Sequence, residues 1–443
     1  MLSFPHFLFA GFSLSLGAAS AQTLSELSLS AAATKALAAH PSIAANRAQT
    51  QSAKEKVAEA HAARWFRVDY SESFSRSDNP VFVFGGLLTQ RQFSESNFAI
   101  GALNRPNFLN NSQSLVSIDQ PIWDAGRARY AEAAADANAK ASVAVTRQSE
   151  LWLVARTARS YMDVNLATEA LQVATQALKS GQADRDRAIS LRDAGRATDA
   201  DVLSVEVHLA HMHEQIIARR TERNLALAAL NESMGAPLDS EHLLTTPLAA
   251  APVVLPASVN RPEAEVLRLQ TSAAESQWSS ARSALFPQIS ARGVFEADRQ
   301  RIVTRAGINW FAGVTLRWTP FDGGATRANI RSASAHLDAL RASERNTASQ
   351  VALEVKQSQE MLTAAQARLA ATATMVAMAE ESLRITQNRY GAGLATITDL
   401  LRTETASHEA KLRRLMAVHA LRLAQFQIFA SAGQLTANSE VLQ

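Results

Sequence analysis

The chain contains two copies of one structural unit, and this repeat constrains the fold more than any other feature. Residues 194–203 recur as residues 392–401 with six of ten positions identical, at an offset of 198. The same offset aligns Asp124-Ala-Gly126 with Asp322-Gly-Gly324. Because a constant offset at separate places is the signature of a repeated supersecondary unit, the sequence predicts internal pseudo-symmetry.

The composition narrows the functional class. Lys and Arg total 44 and Asp and Glu total 41, so no strong basic field indicates a nucleic-acid partner. Cysteine is absent, which excludes disulfides, thiolate metal sites and cysteine nucleophiles. The sequence contains no phosphate-binding glycine loop, zinc-protease motif or plausible Ser/His/Asp grouping. We therefore expect no enzymatic activity and no cofactor.

The N-terminal segment resembles a secretory signal peptide. Residues 2–21 contain no Lys, Arg, Asp or Glu, and an apolar stretch is followed by Ala19-Ser-Ala21. Small residues at these positions are typical of a cleavage site, which predicts a signal peptide over 1–21. The alternative is a retained membrane anchor, but the apolar run is short of the ~20 residues that span a bilayer.

Two long helices dominate the predicted structure. Residues 127–190 contain no proline and one glycine, with apolar residues spaced by three and four, and 327–388 repeat this pattern. Helices of about 60 residues are ~90 Å long, which predicts an elongated, coiled-coil-like molecule. Shorter helices should stack end to end beside each long one, over 27–64, 198–233, 261–285 and 396–432. Gly195 and Gly393 then mark tight turns between helices.

Elsewhere the apolar period changes from 3.6 to 2, which predicts strands. Val68 and Tyr70 alternate with polar residues, and so do Ile308, Trp310 and Val314; shorter runs surround residues 116–119 and 289–295. The longer runs approach the length of a tilted transmembrane strand, ~10 residues. The alternative is a soluble, half-buried sheet. Aromatic residues at the strand ends favour the membrane, since such rings lie at its interface; they are Trp65, Trp123, Trp310 and Trp318.

Four strands cannot close a barrel, and open strand edges are not tolerated in hydrocarbon. The sequence therefore predicts that several protomers share one barrel. The segment between the first two strands, residues 78–111, is longer than its counterpart at 298–307. The offset between copies falls from 221 at Pro41/Pro262 to 198, so this segment carries 221 − 198 = 23 extra residues.

The predicted domain order follows the repeat. The signal peptide (1–21) precedes a first repeat (22–235) of a short helix, two strands, a long helix and a short helix. A Pro-rich linker (236–260), a second repeat (261–433) and a C-terminal tail (434–443) complete the chain.

This organisation resembles the TolC-type outer-membrane efflux protein family. Four segments carry the resemblance: 389–401 (RYGAGLATITDLL), 318–324 (WTPFDGG), 121–126 (PIWDAG) and 284–288 (ALFPQ). The resemblance implies an α plus membrane-β fold, in which a homotrimer forms a twelve-stranded outer-membrane β-barrel and a periplasmic α-helical tunnel. It also implies two partners, a periplasmic membrane-fusion adaptor and an inner-membrane pump of the RND, ABC or MFS type.

The resemblance also implies a gate at the periplasmic helix tips. Asp399 matches a tip aspartate of the family, whereas Arg402 stands where a second aspartate is usual. Tyr390 matches a tyrosine that links neighbouring coils in the closed state, and Asp201 matches its partner in the first copy. The arginine of that network is replaced by Ala395. A ring of carboxylates at a narrow mouth concentrates cations. The alternative role of Asp201 and Asp399 is to stabilise helix N-termini.

One local cluster offers possible metal ligands. His208, His211 and Met212 lie at i, i+3 and i+4, so one helix face could present soft ligands. The second copy has Ala406, Glu409 and Ala410 there. We expect solvent-facing residues at these positions, with metal binding as the alternative.

These observations predict a passive outer-membrane exit duct for small molecules or polypeptides, within a tripartite efflux pump or a type I secretion system. One alternative is a heavy-metal efflux channel of the same family. The other is a soluble, coiled-coil periplasmic adaptor that forms no pore.

Overall fold

The computed structural model describes residues 25–250, 252, 254–256, 258–301, 303 and 305–443. The predicted signal peptide lies outside the described residues. The helices are α1 (Leu29–Ala39), α2 (Pro41–Ala62), α3 (Pro80–Thr89), α4 (Ile100–Asn104), α5 (Arg127–Asp193), α6 (Asp199–Ser233), α7 (Pro262–Ser283), α8 (Ala325–Gly391) and α9 (Ile397–Ser431). The strands are β1 (Ser25–Leu27), β2 (Arg67–Ser77), β3 (Leu109–Trp123), β4 (His242–Leu244), β5 (Gln288–Arg299) and β6 (Gly307–Arg317).

The predicted repeat is present in the helices residue for residue. Helices α5 and α8 each have 67 residues, α6 and α9 each have 35, and the bounds of each pair differ by 198. At 1.5 Å per residue, α5 and α8 are each about 100 Å long. The two copies therefore form matching hairpins, α5–α6 and α8–α9.

The same local chemistry sets the ends of these helices in both copies. The carboxylate of Asp124 accepts hydrogen bonds from the backbone N–H groups of Gly126 (3.0 Å) and Ala128 (2.7 Å) at the start of α5. Asp322 accepts equivalent bonds from Gly324 (3.0 Å) and Thr326 (2.8 Å) before α8. Each aspartate satisfies amide groups that a helix N-terminus leaves unpaired. The repeated motif is thus the junction between a strand and a long helix.

Shorter helices pack beside the long ones, as the sequence predicts. Helices α2 and α6 both contact α5, while α7 and α9 contact α8. The predicted first helix is divided into α1 and α2 at His40–Pro41, because proline lacks the N–H that would continue the helix. Helix α7 also packs on α5, which connects the two copies.

Four strands form one antiparallel sheet in the order β2-β3-β5-β6. Strand β3 has 15 residues and extends well beyond the short run at 116–119. Its polar first half, 109–115, shows no strong alternation in the sequence. It is nevertheless a strand because β2 and β5 pair with it on both sides and satisfy its backbone groups.

The long connection between β2 and β3 is partly helical and folds onto the end of the sheet. It contains α3 and α4, which the sequence analysis missed. The Gln90 amide donates a 2.9 Å hydrogen bond to the carbonyl of Asn110 on β3. Arg91 donates to the carbonyl of Ile308 on β6 (2.9 Å), and Asn309 donates to the carbonyl of Thr89 (3.2 Å). The insertion therefore connects both halves of the sheet at the end far from the helices.

A compact core surrounds the middle of α5. Tyr161 is fully buried; its hydroxyl donates to the carbonyl of Leu27 (2.7 Å) and accepts from the backbone N–H of Thr246 (3.0 Å). Strands β1 and β4 pair in parallel beside it, so the Pro-rich linker contributes structure. Leu435 and Leu442, from the predicted C-terminal tail, are buried in the same core.

The two long helices differ in how much of them is covered. Nineteen residues of α5 are buried but only six of α8, so the second copy leaves its long helix largely open. Helix α9 contacts α5 and α6 as well as α8, whereas α5 is surrounded by α1, α2, α6, α7 and α9. None of the helices in the described part of the chain has a stretch long and apolar enough to span a membrane.

Candidate functional site

The turns of the two hairpins have the same geometry. Gly195 and Gly393 adopt left-handed conformations with φ of +71° and +75°. Each turn carries the two hydrogen bonds of a Schellman motif: Gly195 N–H to Arg192 O (2.8 Å) with Arg196 N–H to Leu191 O (2.8 Å), repeated at residues 393 and 394. Only glycine adopts this conformation without steric cost. The turn positions follow directly from the sequence repeat.

A capping box begins the helix that follows each turn. The Thr198 hydroxyl accepts from the backbone N–H of Asp201 (3.2 Å), and the Asp201 carboxylate accepts from the Thr198 backbone (2.8 Å). Thr396 and Asp399 form the same pair, with distances of 3.2 Å in both directions. Both aspartates therefore have the helix-capping role that was the alternative to a gate.

The tip of the second hairpin also carries charge. Hydrogen bonds from the Thr396 hydroxyl and backbone hold the pKa of Asp399 below its ordinary value, and Arg389 and Arg402 act in the same direction. Asp399 and Arg402 are both exposed. A carboxylate and a guanidinium therefore face solvent on the first turns of α9.

The two tips of one protomer touch. A guanidinium nitrogen of Arg196 lies 3.2 Å from the position that a Cβ atom would occupy on Gly393. On the second tip, Arg389 donates a hydrogen bond to the carbonyl of Leu394 (3.2 Å). The two turns therefore lie side by side.

Tyr390 lies inside the protomer, beneath the tips. It is 6% exposed and packs in a cluster with Val202 and Leu400. Burial raises the pKa of its hydroxyl, and the charges of Asp201 and Asp184 act in the same direction. The hydroxyl has no hydrogen-bond partner among the described residues. The carboxylate of Asp201 instead bonds within its own capping box.

Sequence reasoning missed a group of polar residues next to Tyr390. Asp184 on α5 and Glu404 on α9 are 4% and 1% exposed, and His408 lies one helical turn after Glu404. A signal was available, because Glu404 falls on the stripe at Ile397, Leu400 and Ser407 whose spacing of three and four marks a buried helix face. An acidic residue on such a face is uncommon.

The three possible metal ligands do not converge, and the expectation that they face solvent is wrong for Met212. Met212 is buried against Gly181 in the helix cluster, whereas His211 is exposed and bonds to Gln215 (2.8 Å). His208 is half-buried, and burial lowers its pKa. Over the residues the structure describes, no group of three or more His, Asp or Glu side chains is arranged to hold a metal ion.

The sheet presents an exposed apolar face. Tyr70, Val116, Phe295 and Trp310 form one cross-strand row, and Tyr70, Phe295 and Trp310 are 67%, 54% and 73% exposed. A continuous exposed apolar surface marks contact with a partner or a membrane.

The four predicted interface tryptophans lie at two levels of the sheet. Trp65 precedes β2, Trp123 ends β3 and Trp318 follows β6, so these three lie at the end near the long helices. Trp310 lies eight residues from Trp318, which is about 27 Å along a strand. In a membrane strand tilted by ~35–45° this separation would span roughly 20 Å of height, which is comparable with the ~25 Å apolar band that aromatic residues border on both sides.

Comparison with known proteins agrees with this architecture. The sequence matches the outer membrane efflux protein family over residues 32–236 and 256–434. No protein with curated annotation matches it significantly.

Solved structures match over almost the whole chain. The OprN outer-membrane channel has 20% identity and a TM-score of 0.79, covering 92% of this chain and 90% of its own. The Campylobacter jejuni CmeC outer membrane channel has 15% identity and a TM-score of 0.81, covering 99% and 96%. The open state of the Neisseria gonorrhoeae MtrE channel has 17% identity and a TM-score of 0.78, covering 94% and 92%. At these identities the likeness concerns the fold.

Proposed function

Because the chain belongs to the outer membrane efflux protein family, we propose that it is the subunit of a trimeric exit duct. This duct passively carries small molecules or polypeptides out of the cell. Members of this family are outer-membrane transport channels and not enzymes. Membership also rules out the alternative of a soluble periplasmic adaptor. The proposal concerns the trimeric assembly of the channel, the cargo that it exports and the partners that it binds.

The observation that supports the trimer best is the incomplete sheet. Strands β2 and β6 are the outer members of the sheet, and each pairs on one side only among the described residues. The apolar row on its face is exposed, so an isolated protomer would present both unpaired backbone groups and apolar side chains to its surroundings. Pairing β2 of one copy with β6 of the next removes every edge once the ring closes. Three copies provide twelve strands.

The helices would continue the duct on the periplasmic side. Each protomer contributes two hairpins with tips at Gly195 and Gly393, so a trimer presents six tips around its mouth. We assign Asp399, Tyr390, Asp201 and Arg402 to this mouth as its gate. The same proposal assigns the four tryptophans to the membrane borders.

Energy for export would come from partners, since this subunit supplies a path and a gate. We propose a periplasmic membrane-fusion adaptor and an inner-membrane pump of the RND, ABC or MFS type, in a tripartite efflux or type I secretion system. Heavy-metal cargo remains the alternative within the family. Metal resistance that depends on His208, His211 and Met212 would favour it.

Disulfide cross-linking tests the shared sheet directly. The chain has no cysteine, so an introduced pair has no background. Ser71 on β2 is combined with Gly313, Thr315 or Arg317 on β6, each replaced by cysteine. Within one protomer these strands are three strand spacings apart, ~14 Å, which is too far for a disulfide. We expect covalent dimers and trimers for at least one pair in outer membranes under oxidation.

Two controls accompany this experiment. The single variants should give no covalent trimer, because closing the ring needs both positions. A pair at Ser71 and Leu115, which lie opposite each other on neighbouring strands of one protomer, should give no intermolecular product. Absence of cross-linking for every β2–β6 pair would contradict the shared sheet. If the cross-linked trimer forms, conductance measurements on the purified trimer in planar bilayers test whether it encloses a pore.

A further inference from the structure

Unpartnered buried polar atoms are concentrated where the two hairpins meet beneath the tips. Asp184 on α5 is electrostatically coupled to His208 on α6, Tyr390 on α8 and Glu404 on α9. His408 is coupled in turn to His208. Within the described chain, the atoms here that lack a hydrogen-bond partner are His208 Nε2, the Tyr390 hydroxyl, both carboxylate oxygens of Glu404, Ser407 Oγ and both ring nitrogens of His408.

Two carboxyl groups at the centre of this cluster face each other. Asp184 is 4% exposed and Glu404 is 1% exposed, no group in the described chain donates a hydrogen bond to either Glu404 oxygen, and the neighbouring Asp184 carboxyl contributes to the raised pKa of Glu404. Two ionised carboxylates offer no donor to each other, so contact between them requires a proton. The nearest cation is Arg187, whose guanidinium lies 3.6 Å from Asp184. One positive charge beside two buried carboxyls leaves one negative charge uncompensated unless a proton is bound.

The surrounding groups do not supply the missing positive charge. Burial lowers the pKa of His208 and of His408, so both rings are neutral at neutral pH. Lys411, one turn further on α9, is paired with Glu380 at 3.0 Å. Burial, followed by contact with Asp184, raises the pKa of Glu404 to about 9. The titratable and charged groups that surround the carboxyl pair are Asp184 and Arg187 on α5, His208 and Asp201 on α6, Tyr390 on α8, and His408 and Lys411 on α9.

The internal repeat shows that this pair belongs to only one of the two hairpins. At the offset of 198, Glu404 corresponds to Glu206 on α6 and Asp184 corresponds to Ser382 on α8. Glu206 is exposed, and Ser382 carries no charge. The carboxyl pair is therefore not a property of the repeated unit. It exists because α9 of the second copy packs against α5 of the first.

We propose that Asp184 and Glu404 form a proton-binding site that holds α9 against α5 while the proton is bound and favours their separation when it leaves. This inference rests on the proposed function in one respect, since separation of α9 from α5 would move the second tip and widen the mouth. The proton site itself does not depend on transport.

The direction of the pH effect follows from proton linkage. When α9 leaves α5, Glu404 gains water and its pKa returns towards the ordinary value of 4.5. The packed state thus binds one more proton, and the packing weakens as pH rises from 4.5 to about 9. The two histidines have the opposite effect. Burial lowers their pKa values from 6.5, so the packed state disfavours their protonation and packing weakens as pH falls below about 6.5. Between pH 7 and 9 the carboxyl pair therefore determines how the packing of α9 against α5 changes with pH.

Infrared spectroscopy tests the bound proton. The purified full-length protein at pH 7.5 should show the band of a protonated carboxyl group, and this band should be lost as pH rises through about 9. The band should be missing in Glu404→Gln and retained in Glu206→Gln, the matched variant at the exposed equivalent position. A wild-type protein without the band, or a Glu404→Gln protein that keeps it, would overturn the proton site.

Spin-label distances test the coupling to packing. Labels on cysteines at Ser190 on α5 and Thr405 on α9, both exposed, report separation of the hairpins. The ratio of separated to packed molecules should rise about tenfold per pH unit between 7 and 8.5, because one proton is exchanged. Glu404→Gln should remove this dependence and Glu206→Gln should keep it. A dependence that survives in Glu404→Gln would contradict the proposal.

Two further measurements keep the outcome unambiguous. If Glu404→Gln does not accumulate, Asp184→Asn is expected to abolish the same pH dependence, and a dependence that persists there would equally overturn the proposal. Failure of the trimer cross-links with an intact infrared band would reject the duct and leave the proton site standing. Intact trimer cross-links without the infrared band would reject only the proton site.

Discussion

The hydroxyl of Tyr161, at the middle of α5, donates a 2.7 Å hydrogen bond to the backbone carbonyl of Leu27 in β1. It also accepts one from the N–H of Thr246, so one buried phenol connects the long helix to both strands of the small parallel pair. Burial raises the pKa of this phenol, which keeps the donor hydrogen in place at ordinary pH.

Replacing Tyr161 with Phe should destabilise the protein by about 1–3 kcal/mol, since buried backbone groups lose their partner. Thermal unfolding of the solubilised protein measures this change. The control is Tyr130→Phe, since Tyr130 is 38% exposed and its loss of a hydroxyl should be nearly neutral. Equal midpoints for the two variants would show that the Tyr161 hydroxyl contributes nothing.

Gly393 should tolerate no side chain without cost. Ala at this position is strained by about 1–2 kcal/mol because the backbone is left-handed, and Val adds bulk beside the Arg196 guanidinium 3.2 Å away. We expect Gly393→Val to disturb the tip and reduce export at normal abundance. Gly391, two residues earlier, has open space and an ordinary helical backbone. Gly391→Ala should therefore leave export intact, and normal export by Gly393→Val would remove the turn from the functional site.

Asp399 should control the passage of ions if it lines the mouth. Asp399→Asn keeps an acceptor for the capping box but removes the charge, so cation selectivity in planar bilayers should fall. Hydrogen bonds from Thr396 lower the pKa of Asp399 from 3.8, so its charge is lost only as pH falls below that value. Wild-type selectivity due to this residue should hold from pH 7 down to about 4. Asp338→Asn, near the opposite end of α8, is the control. Identical selectivity in all three proteins would place Asp399 away from the pore.

Arg261 should stabilise the start of the second copy. It is 7% exposed, bonds to Glu263 (2.9 Å) and Glu354 (2.8 Å), and donates to the carbonyl of Ser431 (3.3 Å). Arg261→Ala should cost about 1–3 kcal/mol, because it leaves the partly buried Glu263 and the carbonyl of buried Ser431 without their donor. Exposed Arg268 on α7 provides the matched alanine variant, which should change the unfolding midpoint little. Similar effects of both substitutions would indicate that the buried ion pairs do not stabilise the fold.

The parts of the fold that the sequence predicts well are those set by local chemistry. Gly195 and Gly393 determine the turns, Thr198 and Thr396 begin the helices after them, and the apolar spacing of α5 and α8 needs no knowledge of neighbours. The four-stranded sheet also follows from alternation, although only for the strands whose apolar face is regular.

The parts that escaped prediction depend on contacts between distant segments. The polar first half of β3 is a strand because β2 and β5 pair with it. Helix α3 exists where the inserted segment packs over the sheet. Glu404 is buried because α5 of the other copy covers it, while the equivalent Glu206 stays exposed. No periodicity within one segment distinguishes these two glutamates.

The sparse covering of α8 has a consequence for biogenesis. One subunit covers α5 with its own chain, whereas in the proposed trimer the corresponding surface of α8 would be covered only by a neighbouring subunit. Apparent stability should then depend on subunit concentration, as in obligate oligomers. Proteases and chaperones would bind unassembled copies through this exposed helix. Degradation in the cell would then be selective for subunits whose α8 is not packed against another subunit.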